Sequence, residues 1–314
     1  MERLKGSIYL FCAFTLAGTS VISARLVSGK LGTFTIAAAS LFFAVIFLLP
    51  ICRNRLMETI QLMERNDWFL ILLQALCGIF LFRMFLLQGL LHTSAGEAGI
   101  LTGATPAVTA LLARAALKEP VNKKSILGIA CTILGILLIQ GILLTGSIFT
   151  LGHFMGNILV LFAAVSESLF NVISRVNSLR TVSLNKQPIN PLVQTTLVSG
   201  IAFILCLIPA LFEQPVQSLG SIGLKEWLAL AWYGLFVTAL AFIFWYAGIK
   251  RCPAYTAAAF SGMMPFTSLI LSAIVLSEHA GLQQWSGGLL VVLGMLLIGS
   301  IRPNRADPGV QMTT

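Results

Sequence analysis

The chain has 314 residues, of which 57% are hydrophobic and 10% charged, and 20 Lys and Arg against 11 Asp and Glu give a formal charge of +9. Soluble domains are roughly 45–50% apolar and 25% charged, so this composition, with a mean hydropathy of +0.93, leaves no room for a sizeable soluble domain. It describes an all-α integral membrane protein whose solvent is the lipid bilayer.

A helix needs about 20 apolar residues to cross the hydrocarbon, and ten such runs follow one another: Ser7–Val27, Gly32–Ile51, Trp68–Gly89, Ser94–Ala115, Ser125–Leu144, His153–Ile173, Pro191–Phe212, Trp227–Ala247, Ala254–Leu276 and Leu282–Ser300. Arg3 and Lys5 precede the first run, which is long and lacks a small-residue cleavage site, so it reads as a retained helix rather than a signal peptide. The polar segments Arg53–Asp67 and Asn177–Asn190 read as solvated connectors with no role beyond topology.

With the N-terminus in the cytoplasm, sixteen basic residues fall on the inner side, and only Arg25, Lys30 and Lys225 fall outside. Arg83 alone lies well inside a span, Arg25 and Arg114 being at span ends. This is a strong positive-inside bias, and anionic headgroups account for the net charge without a nucleic-acid partner. The expected location is the inner membrane of a prokaryote, with both termini cytoplasmic.

A shift of 159 residues, without a gap, places Trp68 on Trp227, Gly89 on Gly248, Gly103 on Gly262, Pro106 on Pro265, Glu119 on Glu278, Gly128 on Gly287 and Gly135 on Gly294. The first helix of each half aligns at an offset of 150, Gly6 on Gly156 and Ala13 on Ala163. The chain is therefore a duplicated unit, with repeats at 1–145 and 150–301 and a short cytoplasmic tail at 302–314. Five helices per repeat is an odd number, so the second copy is inverted, the architecture of alternating-access carriers.

A helix with Gly and Pro near its middle, a Glu 13 residues after the Pro, and Gly 9 and 16 residues after that Glu resembles the EamA-type repeat of the drug/metabolite transporter superfamily. The resemblance covers nearly the whole chain and implies a ten-helix secondary transporter or exporter of amino acids, metabolites or drugs. In the first copy Lys118, Glu119 and Pro120 replace the Gly-Glu pair common at that turn.

Ionisable side chains within spans cost about 3 kcal/mol or more to insert and normally face a partner or a cavity. Glu167 is central in the sixth span, with Asn171 and Ser174 on the same helical face, and is the candidate proton or substrate carboxylate; a structural carboxylate is the alternative. Arg83 and Glu97 are joined by a short outer turn that would let them pair, as an intramembrane tie or an outer gate. Pro106 and Pro265, with Gly103 and Gly262, are candidate hinges that offer freed backbone groups to a cavity. Thr102 and Thr109 match Ser261 and Ser268 there, as cavity lining or as donors to those freed carbonyls. Glu119 and Glu278 are expected to fasten turns by holding the amides of the helix that follows. The paired glycines at 128, 135, 287 and 294 let the fifth and tenth helices pack closely, supporting the cavity or a homodimer contact.

The six cysteines form no CxxC pair, so no disulfide is expected, and the three histidines give no metal-ligand pattern. No cofactor is implied, and no Walker loop points to ATP. The expected partners are a small-molecule substrate, the lipid bilayer and a coupling proton. A nucleotide-sugar permease is the nearest alternative. An intramembrane enzyme would need a nucleophile or metal set that the spans lack, and a channel would leave the inverted repeat without purpose.

Overall fold

A computed structural model describes residues 2–117, 123–139, 151–183, 189–249, 251, 260–261, 263–279 and 281–299. The helices are α1 Glu2–Gly18, α2 Ser20–Val27, α3 Thr33–Leu62, α4 Arg65–Ala75, α5 Phe82–Gly89, α6 Ala95–Thr102, α7 Thr105–Leu117, α8 Lys123–Ile139, α9 Leu151–Ser183, α10 Pro191–Ala210, α11 Pro215–Ser221, α12 Leu224–Trp232, α13 Ala241–Ile249, α14 Met263–Leu276 and α15 Leu282–Gly299. Among the described residues, seven helical stretches are long and apolar enough to cross a membrane, and Met263–Leu276 and Leu282–Ile298 are shorter apolar helices. α8, on the fifth expected span, has 17 described residues.

Two helices overrun their expected spans. α3 continues to Leu62 and α9 to Ser183, because the polar residues beyond Ile51 and Ile173 include good helix formers, and a backbone that closes its own hydrogen bonds has no need to stop at the membrane surface. The segments expected to serve topology alone therefore also make contacts. Arg180 on α9 reaches Glu64 and Asp67 at the start of α4, each at 3.6 Å. The loop before α12 carries the short helix α11, a feature with no counterpart among the expected spans.

α4 and α5 are joined by a π-helical turn, Leu76–Leu81, and α12 and α13 by another, Tyr233–Leu240. Shifted by 159, residues 76–81 become 235–240, so the two π turns occupy corresponding positions. Such turns are uncommon in soluble and membrane helices alike and concentrate at functional sites.

Glycine governs the close contacts between helices. A Cβ at Gly128 would lie 2.7 Å from the carbonyl oxygen of Gly294, and one at Gly135 would lie 2.6 Å from that of Gly287. Only a hydrogen fits, so α8 and α15 lie backbone to backbone and pack more extensively than any other pair described. The glycine stripe is spent inside the chain, on the contact between α8 and α15. A second pair of contacts has the same form: Gly89 meets Gly156 and Val160, while Gly248 meets Gly6 and Leu10.

Candidate functional site

The fourth expected span is broken. α6 ends at Thr102, Gly103 and Ala104 form a turn, and α7 restarts at Thr105 with Pro106 as its second residue. Proline fits the first turn of a helix, where its missing N–H has no intrahelical partner to lose. The break frees carbonyls, and the hydroxyl of Thr105 lies 2.8 Å from the carbonyl oxygen of Thr102.

Glu167 on α9 meets this break. Its Oε2 lies 2.8 Å from the same Thr105 hydroxyl, at the end of α7 where the helix dipole is positive and favours a carboxylate. Glu167 keeps some accessible surface although it sits deep in the sixth span. The hydroxyl of the next residue, Ser168, lies 3.0 Å from the Thr105 carbonyl oxygen and 2.7 Å from that of Ala164 on its own helix, so α9 touches the restart of α7 on both sides of one residue. One turn along, the Asn171 amide reaches the Thr109 hydroxyl at 3.5 Å. Ser174 follows, its buried hydroxyl without a partner among the described residues. The polar face expected on the sixth span is thus turned toward the broken helix.

Arg83 and Glu97 do not meet, which corrects the expected pair. Arg83, 4% exposed, donates to the carbonyl of Ala37 and the hydroxyls of Ser40 and Thr238, and its guanidinium lies 4.2 Å from the centre of the Tyr233 ring. Glu97 is equally buried but is bound elsewhere: Gln284 donates to it at 2.7 Å, Thr93 at 3.1 Å, and the His153 imidazole lies at 2.9 Å. The two residues project from different helices, Arg83 toward α3 and the second π turn and Glu97 toward α9 and α15, so the short turn between them does not bring them together.

At the end expected to face outward, carboxylates hold helix starts across the fold. Glu278 accepts from the amides of Ala95 and Gly96, both at 3.0 Å, and lies 4.0 Å from Arg25. Among the described residues it therefore fastens α6 rather than the helix that follows it, and the preceding Ser277 takes a left-handed conformation, φ 55°. Glu213 does the same at the start of α3, accepting from the amides of Phe34 and Thr35. Lys30 pairs with Glu226. Glu119 and Gly262 lie outside the described residues.

The remaining expected residues are spread along the two broken regions. Thr102 donates to the Gly99 carbonyl and Ser268 to that of Gly18, each at 2.8 Å; their hydroxyls serve freed backbone groups, the Gly18 carbonyl being next to the break between α1 and α2. Ser261 lies 3.6 Å from the Met295 sulfur. Gly103 packs against Val291 and Met295 of α15, and Pro265 is buried on α14. No group of three or more His, Cys, Asp or Glu able to hold a metal occurs among the described residues.

Sequence reasoning missed Thr105, whose signal was a hydroxyl between Gly103 and Pro106. It also missed Ser40, Tyr233 and Thr238 around Arg83, and His153 and Gln284 around Glu97, where single polar residues in long apolar runs give no hint of their partners.

These features, apolar helices throughout and polar groups gathered at a broken span, define an α-helical membrane protein. The EamA-like transporter family model matches residues 4–141 and again 154–300, and the chain belongs to that family. It is 29% identical over 309 residues to the uncharacterized transporter YetK of Bacillus subtilis (strain 168), covering 98% of this chain and 90% of the relative. It is 24% identical over 204 residues to a probable amino-acid metabolite efflux pump of Salmonella typhimurium (strain LT2), covering 65% of this chain and 67% of the relative. A solved chain, described only as a crystal structure of protein, matches with a TM-score of 0.61 at 19% identity over 93% of this chain and 95% of its own, a likeness of fold alone. The protein is a transporter of the drug/metabolite type.

Proposed function

We propose that the protein exports small organic solutes, amino acids or related metabolites, across the inner membrane of a prokaryote, by alternating access between two inverted five-helix halves and with a proton exchanged at Glu167. The two family matches, the corresponding π turns and the reciprocal glycine contacts support the duplicated architecture: Gly128 meets the counterpart of Gly135, and Gly135 the counterpart of Gly128, the pattern a two-fold axis imposes on a contact. The probable efflux pump among the relatives supports the substrate class and direction.

The observation that carries the proton is the Thr105 hydroxyl, which has two acceptors at 2.8 Å and one hydrogen. When Glu167 is ionised, that hydrogen goes to the carboxylate and the Thr102 carbonyl loses its donor. When Glu167 is protonated, its own O–H donates to Thr105 and the Thr105 hydrogen returns to the Thr102 carbonyl. Protonation at α9 is thereby linked to the hydrogen bonding of the break between α6 and α7, which is where a discontinuous span binds and moves in carriers of inverted-repeat design.

The test is solute accumulation in liposomes under an imposed pH gradient, using a mixture of labelled amino acids. The parent protein should accumulate solute. Glu167→Gln, neutral at every pH, should still exchange it but build no gradient, and Thr105→Val should weaken coupling while keeping exchange. Uphill accumulation by Glu167→Gln at the parent level would make the carboxylate structural.

A further inference from the structure

We propose that Arg83 and Tyr233 form a carboxylate-binding site, and that the carrier therefore selects solutes bearing a carboxylate over their neutral and cationic analogues. The proposal deepens the transport reading and rests on it.

The site begins with a charge that lacks a countercharge. Arg83 lies six residues before the end of α5 at Gly89, about 9 Å into the span at the rise of an α-helix. It is 4% exposed, and a guanidinium stays ionised under all ordinary conditions. A buried ion of this kind is normally paired. Yet every partner it has among the described residues is neutral: the Ala37 carbonyl, the Ser40 and Thr238 hydroxyls and the face of the Tyr233 ring. The carboxylates within the spans, Glu97 and Glu167, are engaged elsewhere.

The hydrogen inventory leaves donors in the right number. A guanidinium carries five N–H groups. Nη1 uses two, on Ala37 and Ser40, and Nη2 uses one, on Thr238. The Nε–H and one Nη2–H remain, on adjacent nitrogens, which is the pair a carboxylate takes in a two-pronged bond. Ser40 and Thr238 cannot compete for an anion. Their own hydrogens go to the Ile36 and Tyr233 carbonyls, at 2.8 and 2.9 Å, so they present lone pairs to Arg83 and fix its plane.

Tyr233 supplies the second, independent observation. It is 2% exposed, and its hydroxyl meets no hydrogen-bond partner among the described residues. A buried phenol is normally bonded, and this one belongs to the ring on which Arg83 rests. Its O–H is a third donor beside the same guanidinium. The groups come from both halves of the chain: Ser40 from α3, Arg83 just after the first π turn, and Tyr233 and Thr238 from the second. A ligand held there would contact both halves together, while a cationic solute would meet an unpaired like charge.

Two measurements test the site. In detergent, acetate, lactate, benzoate and single amino acids are each compared with the corresponding amide for their effect on the melting temperature. At least one carboxylate should stabilise the parent protein where its amide does not. Tyr233→Phe, which keeps the ring under Arg83, should need about tenfold more of that ligand, the loss of one hydrogen bond to a charged group; Arg83→Gln should show no response. Flux of the same compounds and of tetraphenylphosphonium is then followed in liposomes. Carboxylates without effect on the parent, or an unchanged response in Tyr233→Phe, would overturn the site, as would equal flux of amides and carboxylates. Carboxylate-specific stabilisation with no flux of any compound would instead overturn the transport reading and leave the binding site standing.

Discussion

Gly135 on α8 and Gly287 on α15 each occupy the space in which the other would need a side chain: a Cβ at Gly135 would lie 2.6 Å from the Gly287 carbonyl oxygen, and one at Gly287 would lie 2.7 Å from that of Gly135. Backbone cannot yield as a side-chain tip can, so alanine at either position must push the helices apart. We expect Gly135→Ala and Gly287→Ala each to destabilise by about 1–3 kcal/mol, the usual cost of overpacking, seen as a lower melting temperature in detergent. Gly200, within α10 and with nothing within 4 Å of its Cβ position, is the control. Gly200→Ala should be neutral or stabilising by up to about 1 kcal/mol.

The turn at Ser277 offers a stabilising change. A left-handed φ of 55° strains any side chain that carries a Cβ, and glycine removes the strain. Ser277→Gly should raise stability by about 1 kcal/mol, read from the same melting curves. Removing the next residue's carboxylate should do the opposite. Glu278→Ala leaves the amides of Ala95 and Gly96 without their acceptors and should cost about 1.5–3 kcal/mol, with Glu278→Gln between that variant and the parent.

Pro106 keeps α6 and α7 from joining. An alanine at 106 regains an N–H placed four residues after Thr102, whose carbonyl takes the Thr105 hydrogen. The new donor would satisfy that carbonyl and continue the helix through Gly103 and Ala104. We expect Pro106→Ala to melt at the parent temperature or above and to lower initial flux several-fold. Unchanged flux would mean that the break is a packing accommodation. Pro265→Ala tests the corresponding proline, on α14.

The orientation rests on sixteen basic residues against three. A reporter active only in the cytoplasm should work when fused after Ile301, and one active only outside should work when inserted between Glu213 and Lys225. An external C-terminus would contradict the positive-inside assignment.

Much of the fold was legible because the bilayer asks for long apolar helices and the chain repeats its glycines and prolines in register. The broken fourth span was legible from Gly103 and Pro106, and the polar face of the sixth from Glu167, one acid in an apolar run. The partners were not. Arg83 binds Ser40 and Thr238, 43 and 155 residues away, and sequence proximity favoured Glu97 instead. The π turns left no mark either, since Leu76–Leu81 and Tyr233–Leu240 are ordinary apolar sequence. The far ends of α3 and α9 were missed for a simpler reason: charged residues signal departure from lipid, which is not the end of a helix.

The contact between α8 and α15 also bears on how the rest of the molecule can move. When two bodies turn about a common axis, displacement grows with distance from it, and material on the axis stays put. The four glycines meet reciprocally about one line, so rotation of the halves about that line leaves their backbones touching. If the halves move as proposed, this helix pair is their fulcrum: it can be unyielding, and dependent on the smallest residue there is, while the parts of the chain that carry Glu167 and Arg83 swing.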